Sequence, residues 1–154
     1  MSSIHASCVS IGGLGVLIRG EPNSGKSSLC LRLLDAEGKG VASSALQARL
    51  VSDDQVELAR DGNRLMATPP PALAGLLEVR GLGLVHLPYE SQAEIRLLVD
   101  LLSPMAIPRL PEPAQLEAEL LGVKLPRLML DGKSPAAPAI LRASLTHSGF
   151  FASP

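Results

Sequence analysis

Apolar residues fall in short runs separated by glycine and proline, a pattern that predicts a strand-rich α/β domain. Ile4 to Ile11 reads as a strand, Gly12-Gly13-Leu14-Gly15 as a turn, and Val16-Leu17-Ile18 as a second, buried strand that feeds a loop opening at Gly20. Beyond the loop, Leu29, Leu33 and Leu34 recur at helical spacing until Gly38 and Gly40 stop the helix. The order is therefore strand, glycine loop, helix.

Gly40 to Arg49 has no clear period. Leu50-Val51 then lead into Asp53-Asp54 and on to Val56 and Leu58, a strand with an acidic pair at its end. Arg60-Asp61-Gly62-Asn63 carries the Asp-Gly mark of a tight hairpin, and Thr68-Pro69-Pro70-Pro71 ends the run that passes through Leu65-Met66. Further strand-like runs are Leu76 to Val79, Leu84 to Leu87, Ile95 to Leu101 and Leu125 to Leu130, and Pro138 to His147 reads as a closing helix. The Pro-rich stretch 104–113 is too short for a domain linker and reads as a surface connection.

Composition narrows the class. With 154 residues and 46% hydrophobic content the chain holds one core, so a single domain over 1–154 is expected. Its aromatic residues are one Tyr and two Phe, so the core must be aliphatic and no platform exists for stacking bases. With a net charge of −1 as well, nucleic acid is not an expected partner. Cys8 and Cys30 sit in apolar runs without metal or disulfide spacing, as small buried hydrophobes in a reducing compartment do. No apolar run reaches membrane-spanning length and Met-Ser-Ser-Ile-His lacks a signal-peptide n-region, so a cytoplasmic protein with no membrane partner is expected.

The chemistry begins at Gly20-Glu21-Pro22-Asn23-Ser24-Gly25-Lys26-Ser27, with Ser28 next in the chain. This is the full triphosphate-loop pattern. Its glycines turn successive N–H groups toward phosphates, and the helix that starts there adds the positive end of its dipole. Lys26 is placed to reach the β and γ phosphates of ATP, and the Ser27 hydroxyl to hold the Mg2+ that bridges them. Such a loop serves kinases, hydrolases and switches alike.

Other residues decide among these, and together they resemble the catalytic domain of HPr kinase/phosphorylase, the bacterial enzyme that phosphorylates a serine of the phosphocarrier protein HPr. The resemblance runs from His5 to about Leu101 and rests on four features in order: His5 one hairpin before the loop, the loop, Leu50-Val51-Ser52-Asp53-Asp54-Gln55-Val56, and Leu76-Leu77-Glu78-Val79-Arg80-Gly81-Leu82-Gly83-Leu84-Val85. The last segment is nearly a copy of the family's signature. Transfer to a serine hydroxyl needs a carboxylate to take its proton, for which Asp54 is the candidate. Asp53 and Glu78, with Ser27, are the candidate metal contacts, since Mg2+ prefers oxygen ligands. Arg80 is placed to neutralise developing charge, and the resemblance assigns His5 a catalytic role.

By residue type alone, other readings stand beside these. An Asp-Asp pair also suits a solvated strand end, Glu78 and Arg80 a cross-strand ion pair, His5 a structural histidine and Lys133 a solvated lysine. The resemblance implies a mixed twisted sheet related to the nucleotide-binding fold of phosphoenolpyruvate carboxykinase. It also implies ATP and Mg2+ as cofactors, HPr as partner in regulating a phosphotransferase system, and a hexameric homo-oligomer. Against the family pattern, Ala6 stands in place of Gly, Ser28 in place of Glu, and the segment around 39–48 is longer, which predicts a mobile insertion. The chain reads as a short form holding the catalytic domain alone. The family's basic proline-glycine loop is not found toward the C-terminus, so the reverse, phosphate-dependent dephosphorylation is not expected. Two alternatives are a P-loop kinase for a small metabolite, which normally carries an arginine-rich lid that is not visible here, and a nucleotide-binding regulator without turnover.

Overall fold

The computed structural model describes residues 2–147. Eleven strands and two α-helices succeed one another as β1 (Ser2–Ile4), β2 (Ser7–Ile11), β3 (Leu14–Arg19), α1 (Lys26–Asp35), β4 (Ala48–Ser52), β5 (Val56–Asp61), β6 (Arg64–Thr68), β7 (Leu76–Val79), β8 (Gly83–His86), β9 (Ala93–Leu101), β10 (Glu117–Leu120), β11 (Val123–Leu130) and α2 (Ala137–Thr146). The Pro-rich connection contains two short 3-10 turns, Pro104–Ala106 and Pro113–Leu116.

Nine strands form one sheet in the order β1-β5-β6-β9-β3-β2-β4, with β11 and then β10 branching from β9. The branch arises because β9 is long: Ala93 and Glu94 pair with β6, while Leu98 to Leu101 pair with β11. One edge of β9 thus serves two strands, and the sheet curls. It is a mixed sheet, with β9 parallel to both β3 and β11 and the other pairs antiparallel. Beside it, β7 and β8 form a separate hairpin.

The two faces of this sheet bury different cores. Val9, Ile11, Val16, Ile18, Leu97, Val99 and Leu101 point toward α1 and α2, where they meet Leu29, Leu33 and Leu141. Ala6, Cys8, Leu17, Leu58, Leu65 and Leu98 fill the concave face closed by the curl. Alternation along each strand sorts side chains between the faces. On β9 the phase slips: Ile95 and Leu98 share a face, and pairing to β3 shifts between Gly15 and Val16. Gly15 permits this, since a Cβ there would collide with the backbone carbonyl of Glu94. Both cores are aliphatic, as the composition requires.

Most expected elements are present, with one correction at the start. The run from Ile4 to Ile11 is two strands, and His5 occupies the bend between them. β1 pairs with β5 while β2 pairs with β3 and β4, so the chain changes partners at His5-Ala6. The long segment after α1 closes as a loop: Gly38 and Leu46 form an isolated bridge and the Leu46 N–H donates to Gly38 O at 2.8 Å. No helix among the described residues is long and apolar enough to cross a membrane.

Candidate functional site

The phosphate loop joins β3 to α1 at the end of the parallel β3–β9 pair. Two residues in it have left-handed backbones, Asn23 (φ 66°) and Gly25 (φ 98°), which turn the chain back on itself. α1 begins at Gly25 with no side-chain cap and no acidic residue in its first turn. Its first N–H groups therefore have no intrahelical acceptor and lie where the helix dipole is positive. Lys26 is 7% exposed, and its Nζ donates to Gly20 O at 2.8 Å and to Glu21 O at 3.4 Å, which holds the ammonium in the hollow of the loop. The Ser24 hydroxyl is buried with no hydrogen-bond partner, a polar atom that a phosphate oxygen would satisfy.

Close approach shapes the rim. Gly132 packs so tightly against the loop that a Cβ on it would lie 2.7 Å from Ser24 O, and Arg32 of α1 donates to the Gly132 and Ser134 carbonyls. Lys133 is exposed and lies against Gly25, so this lysine borders the loop rather than standing apart from it.

Asp53 comes directly after β4 and is 7% exposed. Its carboxylate accepts from the Ser27 hydroxyl at 3.0 Å (Oδ1) and 3.1 Å (Oδ2), from the Ser7 hydroxyl at 2.8 Å and from the Glu78 N–H at 3.4 Å. Asp54 is exposed, has a left-handed backbone (φ 67°), and meets His5 Nε2 at 3.2 Å through Oδ1. A depression of about 290 Å³ lined by Ser3, Ile4, His5, Asp54, Gln55 and Leu73 opens beside this pair.

The structure thus brings Gly20 to Ser28, Asp53, Asp54 and His5 to one end of the sheet. Glu78 arrives through its main chain, and Arg80 stands exposed at the turn of the β7–β8 hairpin. Among the described residues no group of three or more His, Cys, Asp or Glu side chains forms a metal cage. Mg2+ needs none, because it keeps several waters and takes one or two carboxylates together with phosphate oxygens. Ser27 and Asp53, adjacent at the foot of the loop, are a donor set of that kind.

Two residues nearby carry no motif in the sequence. Ser7 is wholly buried within a strand that also holds Cys8, Val9, Ser10 and Ile11, and a buried hydroxyl requires partners, which is the one signal that could have drawn attention to it. Cys30, one turn after Lys26, has its thiol pushed up to about 12 by burial and by the negative charge of Asp53. It stays protonated and offers no nucleophile.

Comparison with known proteins agrees with this arrangement. The family described as HPr Serine kinase C-terminal domain matches residues 1–136. Two curated proteins named HPr kinase/phosphorylase are similar in part. One, from Limosilactobacillus reuteri (strain DSM 20016), is 40% identical over 84 residues, 54% of this chain and 23% of its own length. The other, from Clostridium tetani (strain Massachusetts / E88), is 35% identical over 85 residues, 55% of this chain and 25% of its own length. The match thus spans about a quarter of these relatives. The solved structure of the Hpr(Ser) kinase/phosphatase from Coxiella burnetii superposes with a TM-score of 0.74 at 27% identity, covering 92% of each chain. With the phosphate loop, the acidic pair and the curled mixed sheet in place, the chain belongs to the HPr serine kinase C-terminal domain family.

Proposed function

We propose that this chain is an ATP- and Mg2+-dependent protein kinase that phosphorylates a serine of the phosphocarrier protein HPr, regulating a phosphotransferase system in the cytoplasm. The observation that carries this reading is an adjacent pair of carboxylates with different settings, the first of which is bonded to the phosphate loop. Asp53 is buried and hydrogen-bonded to the loop serine, while Asp54 is exposed and faces His5.

The buried carboxylate suits a metal contact and the exposed one suits a visiting hydroxyl. When bound, ATP supplies the γ-phosphoryl group and Mg2+ offsets charge on its oxygens. The loop N–H groups and Lys26 hold the phosphates, and Ser27 and Asp53 supply oxygens for the metal. Asp54 accepts the proton of the attacking serine hydroxyl, and His5, in contact with Oδ1, fixes the orientation of that carboxylate. Arg80, at the exposed turn of the β7–β8 hairpin, is free to offset charge that develops on the transferred group.

The test is incubation of the purified protein with ATP, Mg2+ and HPr from the same source, read by mass spectrometry of HPr. One phosphate on one serine is expected, with the rate falling at least a hundredfold in Asp54→Asn, as for loss of a positioned base. ATP binding without any phosphoprotein would instead favour a regulator without turnover.

A further inference from the structure

Ser7 lies outside every motif of the phosphate site, yet its hydroxyl touches both halves of that site. It donates to Asp53 Oδ1 at 2.8 Å and accepts the main-chain N–H of Asp54 at 3.1 Å. A serine hydroxyl has one proton to give and two lone pairs to receive, so this double role uses its donor and one acceptor position. Ser7 is wholly buried, in a strand whose five residues are all buried, so no water competes for either bond.

Each bond meets a need. The Asp53 carboxylate has four oxygen lone-pair sites and is nearly sealed from solvent. With Ser27 below and the Glu78 N–H at 3.4 Å, the Ser7 bond is the shortest of its contacts and fixes Oδ1. Asp54 has a positive φ, which costs a non-glycine residue about 1 kcal/mol or more and persists only where its surroundings dictate it. The acceptor offered to its N–H is part of that dictation. The Gln55 N–H, bonded to Asp53 O at 2.8 Å, supplies another part. Two residues before Ser7, His5 contacts the Asp54 side chain, so the bend and the first residue of β2 together hold the acidic pair at three atoms.

We propose that Ser7 is a positioning residue that couples the metal carboxylate Asp53 to the backbone placement of Asp54, so that the donor and acceptor halves of the site are set by one hydroxyl. This rests on the proposed function for the roles of both carboxylates, but its first consequence needs only the metal contact at Asp53, because the orientation of Asp53 governs metal affinity whatever the acceptor. Partners that orient a metal ligand typically change affinity 10- to 100-fold when removed.

The experiment uses Ser7→Ala and the near-isosteric Ser7→Cys, whose thiol is a weak donor. Mg2+ affinity is measured by calorimetry in the presence of a non-hydrolysable ATP analogue, and main-chain exchange at Asp54 by hydrogen–deuterium exchange. Expected are a 10- to 100-fold weaker Mg2+ affinity, faster exchange at Asp54 and, with HPr as substrate, a kcat down at least tenfold with little change in KM for HPr. Nucleotide binding without metal should stay within twofold of wild type, which a general loss of structure would not allow. If one variant fails to fold, the other decides. Mg2+ affinity and Asp54 exchange both at wild-type levels in a folded variant would overturn the proposal. Should the wild type leave HPr unmodified while the variants still lose Mg2+, the positioning role stands and the acceptor assignment falls.

Discussion

The Ser27 hydroxyl bridges to both carboxylate oxygens of Asp53, at 3.0 and 3.1 Å, across 26 positions of sequence. The contact joins the first turn of α1 to the end of β4, and α1 packs against both β4 and the β2 strand that separates β4 from β3. It makes the foot of the phosphate loop an oxygen pair suited to a hard cation.

Replacement of Ser27 by Ala removes one oxygen and leaves the loop N–H groups and Lys26 in place. Nucleotide affinity measured with Mg2+ should therefore fall roughly 10- to 100-fold. Affinity measured with a chelator present should change little. Equal losses under both conditions would show that Ser27 holds the loop rather than the metal.

Legibility in the sequence tracks how local each signal is. The phosphate loop is legible because its glycines, lysine and serine are contiguous and flanked by an apolar strand and a helical leucine period. The Asp61-Gly62 turn between β5 and β6 is equally local, with Gly62 at φ 62°. The break at His5 is not legible, because the apolar pattern runs through it and the interruption comes from a change of pairing partners, β5 for β1 but β3 and β4 for β2. β10 escapes the pattern because it is only four residues long and paired only to β11, so the alternation of exposed Glu117 and Glu119 with half-buried Ala118 and Leu120 is too short to register. Lys133 reaches the loop through the parallel pairing of β11 with β9, which no local pattern encodes.

A second charge cluster lies just below the loop. Arg19, the residue before Gly20, donates to Asp100 at 2.8 and 3.0 Å, and Arg127 donates to the same carboxylate at 2.6 Å. These bonds tie the ends of β3 and β9 to the middle of β11. Burial alone would raise the pKa of Asp100, but the hydrogen bonds and charges of the two guanidinium groups outweigh it and hold the carboxyl below its usual range. A depressed folded pKa contributes stability that is complete above the unfolded value, about 3.9, and is lost as pH falls through the folded value. Asp100→Asn should thus cost roughly 1–3 kcal/mol at neutral pH. In urea titrations the gap to wild type should hold down to about pH 4 and narrow below it. A gap that widened on acidification would contradict the pairing.

Arg142 of α2 is 2% exposed and has no carboxylate within ion-pair distance among the described residues. Its Nη2 donates to Leu33 O in the last turns of α1 at 2.9 Å, and its Nε to Leu46 O at 3.0 Å. Burial penalises the cation and lowers its pKa, an effect only partly offset by the charge of Glu37. The arginine therefore acts as a bracket, tying the end of the loop helix and the long 39–48 segment to α2. Gly40 presses against Arg142 and Ala143 at the same place, where a Cβ would lie 2.5 Å from Ala143 N. Arg142→Ala leaves two carbonyls without donors and opens a cavity, a loss of roughly 2–4 kcal/mol by denaturant titration. Because the bracket also closes the segment, trypsin should cut at Lys39 faster in the variant than global unfolding predicts. Unchanged cleavage at Lys39 in a destabilised variant would mean that the bridge between Gly38 and Leu46 closes that segment without help from α2.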